Sequence, residues 1–319
     1  MRLILLVALL ALAPVAAQAA DPAPTIFAPG VISGAANDGA PTFMPDGRTI
    51  FFERTNGAWT AIVTSSLAAG RWSKPVLAPF ASAYSDQQPA LSPDGRFVVF
   101  ESTRPDPAAT GDKPRTLAHL YRAEFQGGRW SEAKPLPETV NFSRRVFKPS
   151  VARNGDLYFM ADTGPAGPPA WRLFVSRWAD GAYRKAEPLR FSDGQYGDVD
   201  PYVAPDQSYL IFSSKDRPPF KDGHEHLFLV TRQADGWSAP RPLRYAGDEP
   251  GADDGEAQVS PDGKTLYFTS GRTLPAPPTP RTRAAVAEAL DRMQSWDNSN
   301  SNVWTLPLAP YLAAADAGR

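Results

Sequence analysis

The sequence predicts an all-β fold, a five-bladed β-propeller of four-stranded antiparallel blades. Three observations predict it. A turn-and-strand segment recurs five times, a second strand block follows each copy, and the outer strand missing after the last copy stands at the opposite end of the chain.

Ahead of the repeats, Met1 to Ala20 reads as a cleavable signal peptide. Arg2 supplies the positive start, Leu3 to Ala13 the apolar run, and Ala17-Gln18-Ala19 the small-residue cleavage site. Pro14 and the small residues after it break the run before the about 20 apolar residues that a membrane anchor needs. Cleavage between Ala19 and Ala20 is expected to release the chain into the periplasm or beyond, with no other stretch apolar enough to span a bilayer. A lipoprotein would need a Cys at the cleavage point, and the sequence has none. Residues 20–312 then read as one domain and 313–319 as a flexible tail.

The five copies are Pro41 to Phe52, Pro89 to Phe100, Pro149 to Phe159, Pro201 to Phe212 and Ala257 to Phe268. Their turn residues Asp46, Asp94, Asn154, Asp206 and Asp262 are spaced 48, 60, 52 and 56 apart. Pro-Asp-Gly or Asn-Gly between β-rich runs is a hairpin signal, because Asp and Asn tolerate positive φ and Gly takes it freely. Runs such as Arg48 to Phe52 mix β-branched and aromatic residues as buried strands do. Two strands per blade follow, over about 41–54, 89–104, 149–162, 201–215 and 257–272.

Trp59 to Leu67, Leu117 to Phe125, Trp171 to Trp178, His226 to Gln233 and Ser301 to Leu308 read as third strands. Four are followed by a Gly-aromatic and a Pro-apolar step, at Gly70 to Leu77, Gly128 to Leu136, Gly181 to Leu189 and Gly236 to Leu243, which supply fourth strands. The last lacks this sequel, and Ile26 to Ile32 is the replacement. Pairing the N-terminal strand with the last blade closes the ring and removes both exposed edges. Two loops exceed the rest. Arg104 to Thr116 is an exposed excursion in blade two. The insertion at 273–302 opens with the Pro-rich Leu274 to Pro280 and holds one short helix within about 281–295, with Val286, Leu290 and Met293 at i, i+4, i+7, fit to pack as a lid on the rim.

Composition narrows the function. The chain has 33 basic and 34 acidic residues, which argues against a basic nucleic-acid surface. Zero Cys excludes disulfides, Cys-ligated zinc, iron–sulfur clusters and cysteine nucleophiles.

The pattern Pro-x-x-Ser-Pro-Asp-Gly-x-x-apolar-x-Phe-x-Ser, fullest in Pro89 to Ser102 and Gln258 to Ser270, resembles the WD40-like PD40 repeat of TolB-type propellers. The resemblance spans about Ile26 to Leu308. It implies a periplasmic propeller working through protein contacts in the cell envelope. TolB itself has six blades and an N-terminal α/β domain, whereas this chain offers about five blades. The Gly-x-Ser-x-Gly elbow of related peptidases does not occur.

Candidate site residues follow from register, since the innermost strands face the channel. Six residues before the turn stand Ala40, Gln88, Lys148, Asp200 and Glu256; eight before stand Asp38, Asp86, Val146, Asp198 and Asp254. With Arg145 and Lys148 as a cationic wall, this set describes an acidic mouth for a peptide, sugar or cation. Alternatively, each Asp caps its loop by accepting backbone N–H bonds. Asp200 and Glu256 are expected to point inward. The favoured reading is a binding or scaffold module without a cofactor, for an envelope protein or peptidoglycan-related ligand. The alternative is a glycan-active hydrolase using Asp38, Asp198, Asp200 and Glu256, whose carboxylates would need to stand about 5–9.5 Å apart. His224 and His226 could share a strand face toward a metal, or simply open a polar loop. Asp253-Asp254-Gly255-Glu256 is a weak match for Ca²⁺, lacking EF-hand spacing.

Overall fold

Each repeat turns on the same local bond. The side-chain oxygen of Asp46, Asp94, Asn154, Asp206 or Asp262 accepts from the backbone N–H two residues on, at 2.9 to 3.2 Å. The following residue takes positive φ; in blade four Gln207 does so at 60° without being Gly.

The computed structural model describes residues 22–105, 113–165, 170–246, 248, 252–272 and 282–316. The expected signal peptide, most of the Arg104 to Thr116 excursion and Leu274 to Pro280 lie outside the described residues. The first two strands of the blades are Asn37–Phe43 and Thr49–Thr55, Asp86–Leu91 and Phe97–Ser102, Val146–Val151 and Leu157–Asp162, Gly197–Val203 and Tyr209–Lys215, and Asp254–Val259 and Thr265–Ser270. Third strands are Thr60–Ala68, His119–Gln126, Trp171–Ser176, Glu225–Gln233 and Asn302–Pro307. The fourth position is short and split. In blade one, Arg71–Trp72 and Val76–Leu77 both pair with Thr60–Ala68. Blade five borrows Thr25–Ile26, antiparallel with Thr25 opposite Thr305 and Ile26 opposite Trp304, so the ring closes by exchange of the two ends. The N-terminal segment turns away after Phe27, whose N–H donates to Val303 at 2.9 Å.

Packing explains the Gly-aromatic step. Five apolar clusters lie between successive blades, each joining the inner strands of one sheet to the next. Trp130 meets Phe51 and Phe80 across the blade one to blade two seam, and Trp72 meets Phe27 and Phe43 across the closing seam. Burying such rings contributes about 1.5–3 kcal/mol each, so the outermost hairpin is fixed by its aromatic rather than by its two-residue ladder.

Helix α1 (Arg283–Arg292) starts at Thr282, whose side chain accepts from Ala285 N–H at 3.1 Å. It buries no residue, and Val286, Leu290 and Met293 are exposed, so the expected lid packing does not occur. A second helix, α2 (Ala309–Asp316), adds to the inserted one at a place the sequence did not mark. Tyr311 and Leu312 dock on the blade four to blade five cluster, which gives that segment a face to bury.

Candidate functional site

The site begins with a backbone irregularity repeated five times. The ladder between the first two strands of every blade shifts register at the same place, between Gly39 and Thr42, Gln87 and Ala90, Phe147 and Ser150, Val199 and Tyr202, and Gly255 and Gln258. The residue in each bulge has positive φ: Ala40 45°, Gln88 51°, Lys148 46°, Asp200 55° and Glu256 53°. None is Gly, so each carries about 1–3 kcal/mol of strain. Pro follows in four of the five, at a point where a missing N–H costs no ladder bond.

The preceding blade caps these bulges. Glu256 Oε2 accepts from Ala40 N–H at 2.8 Å, Glu53 Oε2 from Gln88 N–H at 3.0 Å, Gln88 Oε1 from Lys148 N–H at 2.9 Å, and Asp200 Oδ2 from Glu256 N–H at 3.1 Å. Gln88 Nε2 also donates to Glu256 Oε1 at 3.0 Å. Two rings of side chains thereby meet in the channel. One comprises the bulge residues, and the other is the second-strand set Glu53, Glu101, Met160, Ser213 and Thr269, paired across the ladder with the residues before the bulges.

A cavity of about 320 Å³ opens over blades one, four and five, lined by Glu53, Asp200, Glu225, Asp253 and Glu256 among others. Two glycines make room for it. A Cβ on Gly39 would stand 2.5 Å from Glu256 Oε2, and one on Gly255 would stand 2.7 Å from Asp200 Oδ2 and 3.7 Å from Glu225 Oε2. Crowding of like charges in a desolvated space raises the acids. Burial, then the Glu256 charge, pushes Asp200 up to about 6, against the pull of Lys148. Burial with Asp200, Asp253 and Glu256 takes Glu225 to about 8. Glu53 is raised well above the usual range by burial and Glu256, and Glu101 to about 8 by burial, with Glu256 and Asp200 adding to it against the Gln87 hydrogen bond.

The structure divides the register-predicted residues. Lys148, Asp200 and Glu256 come together in the channel, 4, 7 and 9% exposed. Asp38, Asp86, Asp198 and Asp254 are buried in ion pairs with Arg54 (2.6 Å), Arg104 (3.0 Å), Arg217 (2.7 Å) and Arg272 (2.7 Å). Asp38 and Asp86 also cap loops, accepting from Gly34 and Ser82 N–H. The last Ser of the repeat serves the same acids: Ser102 and Ser214 donate to Asp86 and Asp198 at 2.6 Å. Blade three reverses the pair. Asp162 on its second strand meets Arg144 at 3.0 Å, with Arg145 at 3.9 Å, so Val146 stands where the other blades have Asp.

The histidines diverge. His224 Nδ1 lies 3.2 Å from Asp253, whereas His226 bridges Asp248 (3.2 Å) and Asp222 (3.0 Å) and stacks on Phe220. Among the described residues no group of three or more His, Cys, Asp or Glu is arranged to hold a metal ion. The Asp253 to Glu256 segment likewise splits, toward His224, Arg272 and the channel in turn.

Glu53, Glu101 and Glu225 were not singled out from sequence. A signal existed for two: Glu53 and Glu101 both follow the repeat's Phe, seven residues after the turn Asp. Glu225 reaches the mouth from the start of a third strand, where the equivalent ladder position in blade one holds Thr60 rather than an acid.

No family model and no curated protein matches this chain. Solved structures do. An α-L-arabinofuranosidase from Lactobacillus brevis superposes with a TM-score of 0.54 at 13% identity, over 86% of this chain and 91% of that one. A GH62 hydrolase in complex with xylotriose gives 0.54 at 11% identity, over 90 and 96%. A putative TolB from Agrobacterium tumefaciens gives 0.48 at 14% identity, over 74 and 70%. At these identities the two longer matches show the shared propeller fold.

Proposed function

We propose that the protein is an exported binding propeller of the cell envelope, taking a protein or peptidoglycan-related ligand at the acidic mouth of its channel. The observation that carries this reading is the mouth itself: a concave, acid-lined space whose groups have strongly perturbed proton affinities, as binding and catalytic sites do. It is the place where the five-fold repetition of the fold is broken by Gly39, Gly255, Asp200 and Glu225.

A glycan-active hydrolase is the second reading, favoured by one observation. Asp200 and Glu225 flank Gly255 and both hold protons more tightly than ordinary acids, and a protonated acid beside an ionised one is what glycoside hydrolysis uses. Against it, Asp38 and Asp198 are occupied by Arg54 and Arg217, and both oxygens of Glu256 accept hydrogen bonds. Incubating the secreted protein with soluble peptidoglycan fragments and a glycan panel tests the choice. Retention lost in Asp200→Asn, with every glycan intact, supports binding. Released sugar that disappears in the same variant refutes it.

A further inference from the structure

Resting on the mouth being the binding site, we infer that it recognises the primary ammonium group of a peptide, either a lysine-type side chain or a free amino terminus. Three acids lining the cavity retain unbonded oxygens. Among the described residues Glu53 uses only Oε2 and Asp200 only Oδ2, while the Glu225 carboxylate accepts no hydrogen bond. A primary ammonium has three N–H donors and no acceptor, and it complements such a set. Glu256 contributes charge alone, since Oε1 and Oε2 are already bonded.

A second feature points the same way. Lys148 is 4% exposed and aims into this channel, where its charge lowers the proton affinity of Asp200 and Glu53. Its ammonium makes no hydrogen bond or ion pair among the described residues. Glu101 Oε2, also buried, has no partner either. A buried polar atom such as Glu101 Oε2 is seldom left so and needs a donor, while the Lys148 ammonium, which is not itself cut off from open space, is free to take an acceptor. A peptide supplies both, its carbonyl toward Lys148 and its N–H groups toward the acids. A bare divalent ion would supply no acceptor, and the acids are not gathered to hold a metal.

The test is calorimetric titration of the secreted protein with four probes. Nα-acetyl-lysine amide carries only the side-chain ammonium, alanyl-alaninamide only the terminal one, Nα,Nε-diacetyl-lysine amide neither, and calcium chloride is the inorganic cation. One ammonium probe is expected to bind at least about 10-fold more tightly than the diacetyl form, as charge-assisted bonds require. Asp200→Asn and Glu225→Gln should each weaken it by a similar factor without changing the melting temperature by more than a few degrees.

Binding should also release protons at pH 7, read from two buffers of different ionisation heat. A bound cation lowers the proton affinity of Asp200, Glu225, Glu53 and Glu101, with Lys148, Lys215, Asp253 and Glu256 as the other charges facing them. Equal binding of the diacetyl probe, or calcium binding sensitive to Asp200→Asn without ammonium binding, overturns the inference. If no ammonium probe binds at 10 mM (about 10,000-fold above micromolar recognition) while peptidoglycan fragments bind and need Asp200, the ammonium inference fails and the mouth remains the site. If nothing binds in an Asp200-dependent way, both fail.

Discussion

Replacing Arg217 with Met tests whether the outer acids belong to the scaffold rather than the site. The Asp198 carboxylate is fully buried, and Arg217 grips it through Nη2 at 2.7 and 2.8 Å while also donating to the Phe191 carbonyl and covering the Tyr196 ring at 4.4 Å. Removing the guanidinium leaves Ser214 as the side chain bonded to that carboxylate. Stranding one member of a buried ion pair costs about 3–5 kcal/mol, which in a domain of this size lowers the melting temperature by roughly 6–15 °C. Differential scanning calorimetry and urea melts of wild type, Arg217→Met and the double variant Asp198→Leu/Arg217→Met give the readout. The double variant should recover most of the loss, because an apolar pair of similar volume has no buried charge to strand. Ligand retention should survive in every variant that folds. A loss below about 1 kcal/mol in the single variant, or no recovery in the double, would refute a structural role for the pair.

Other consequences follow from the channel and the closure. Glu101 keeps its proton to about pH 8 when folded but gives it up near 4.5 when unfolded, so the native state binds the extra proton between those values and stability should fall as pH rises across them. Urea melts at pH 5, 6.5 and 8 should show this slope flattened in Glu101→Gln; parallel curves for the two proteins would contradict it. Gly255→Ala should fold, at a cost of about 1–3 kcal/mol, but its Cβ would meet Asp200 Oδ2 at 2.7 Å and ligand retention should drop about 10-fold; unchanged retention would move the site elsewhere. Phe27→Ala removes a ring packed on Phe43, Trp72 and Tyr267 and should cost about 1–3 kcal/mol. Limited proteolysis should then cut first near residues 22–30, and an unchanged cleavage pattern would argue against the N-terminal strand as the latch.

The sequence made the blades legible because each is written locally. An Asx turn, a buried strand and a Gly-aromatic hairpin lie within one repeat, and the displaced strand at Ile26 announced the closure. The ion pairs were hidden for a physical reason. Arg54, Arg104, Arg217 and Arg272 lie 16 to 19 residues beyond their acids, at no constant offset from the turn, so Asp38, Asp86, Asp198 and Asp254 stood out as a register while their partners did not. The burial of Lys148 beside Asp200 and Glu53 is likewise tertiary. Helix α2 escaped notice because Ala309 to Asp316 has only Tyr311 and Leu312 to bury, too few to declare a period.

What repeats in this protein and what does not divide the molecule by role. Turn Asp or Asn, strand Phe, bulge and Asp–Arg pair recur, the pair with one inversion in blade three. The channel residues follow no such rule: Ala40, Gln88, Lys148, Asp200 and Glu256 share a backbone geometry and differ in size and charge. A bulge that costs strain in every blade, capped each time from its neighbour or by Met160 Sδ at 3.5 Å from Asp200 N, holds five side chains at fixed places regardless of their identity. The scaffold therefore constrains position and leaves chemistry free. In this chain that freedom is used asymmetrically, with Lys148 and Met160 supplying blade three's share of the channel while Gly39 and Gly255 open the opposite side. Filling one of those glycines should block the mouth and leave the ring intact, a separation that a site dispersed over all five blades would not permit.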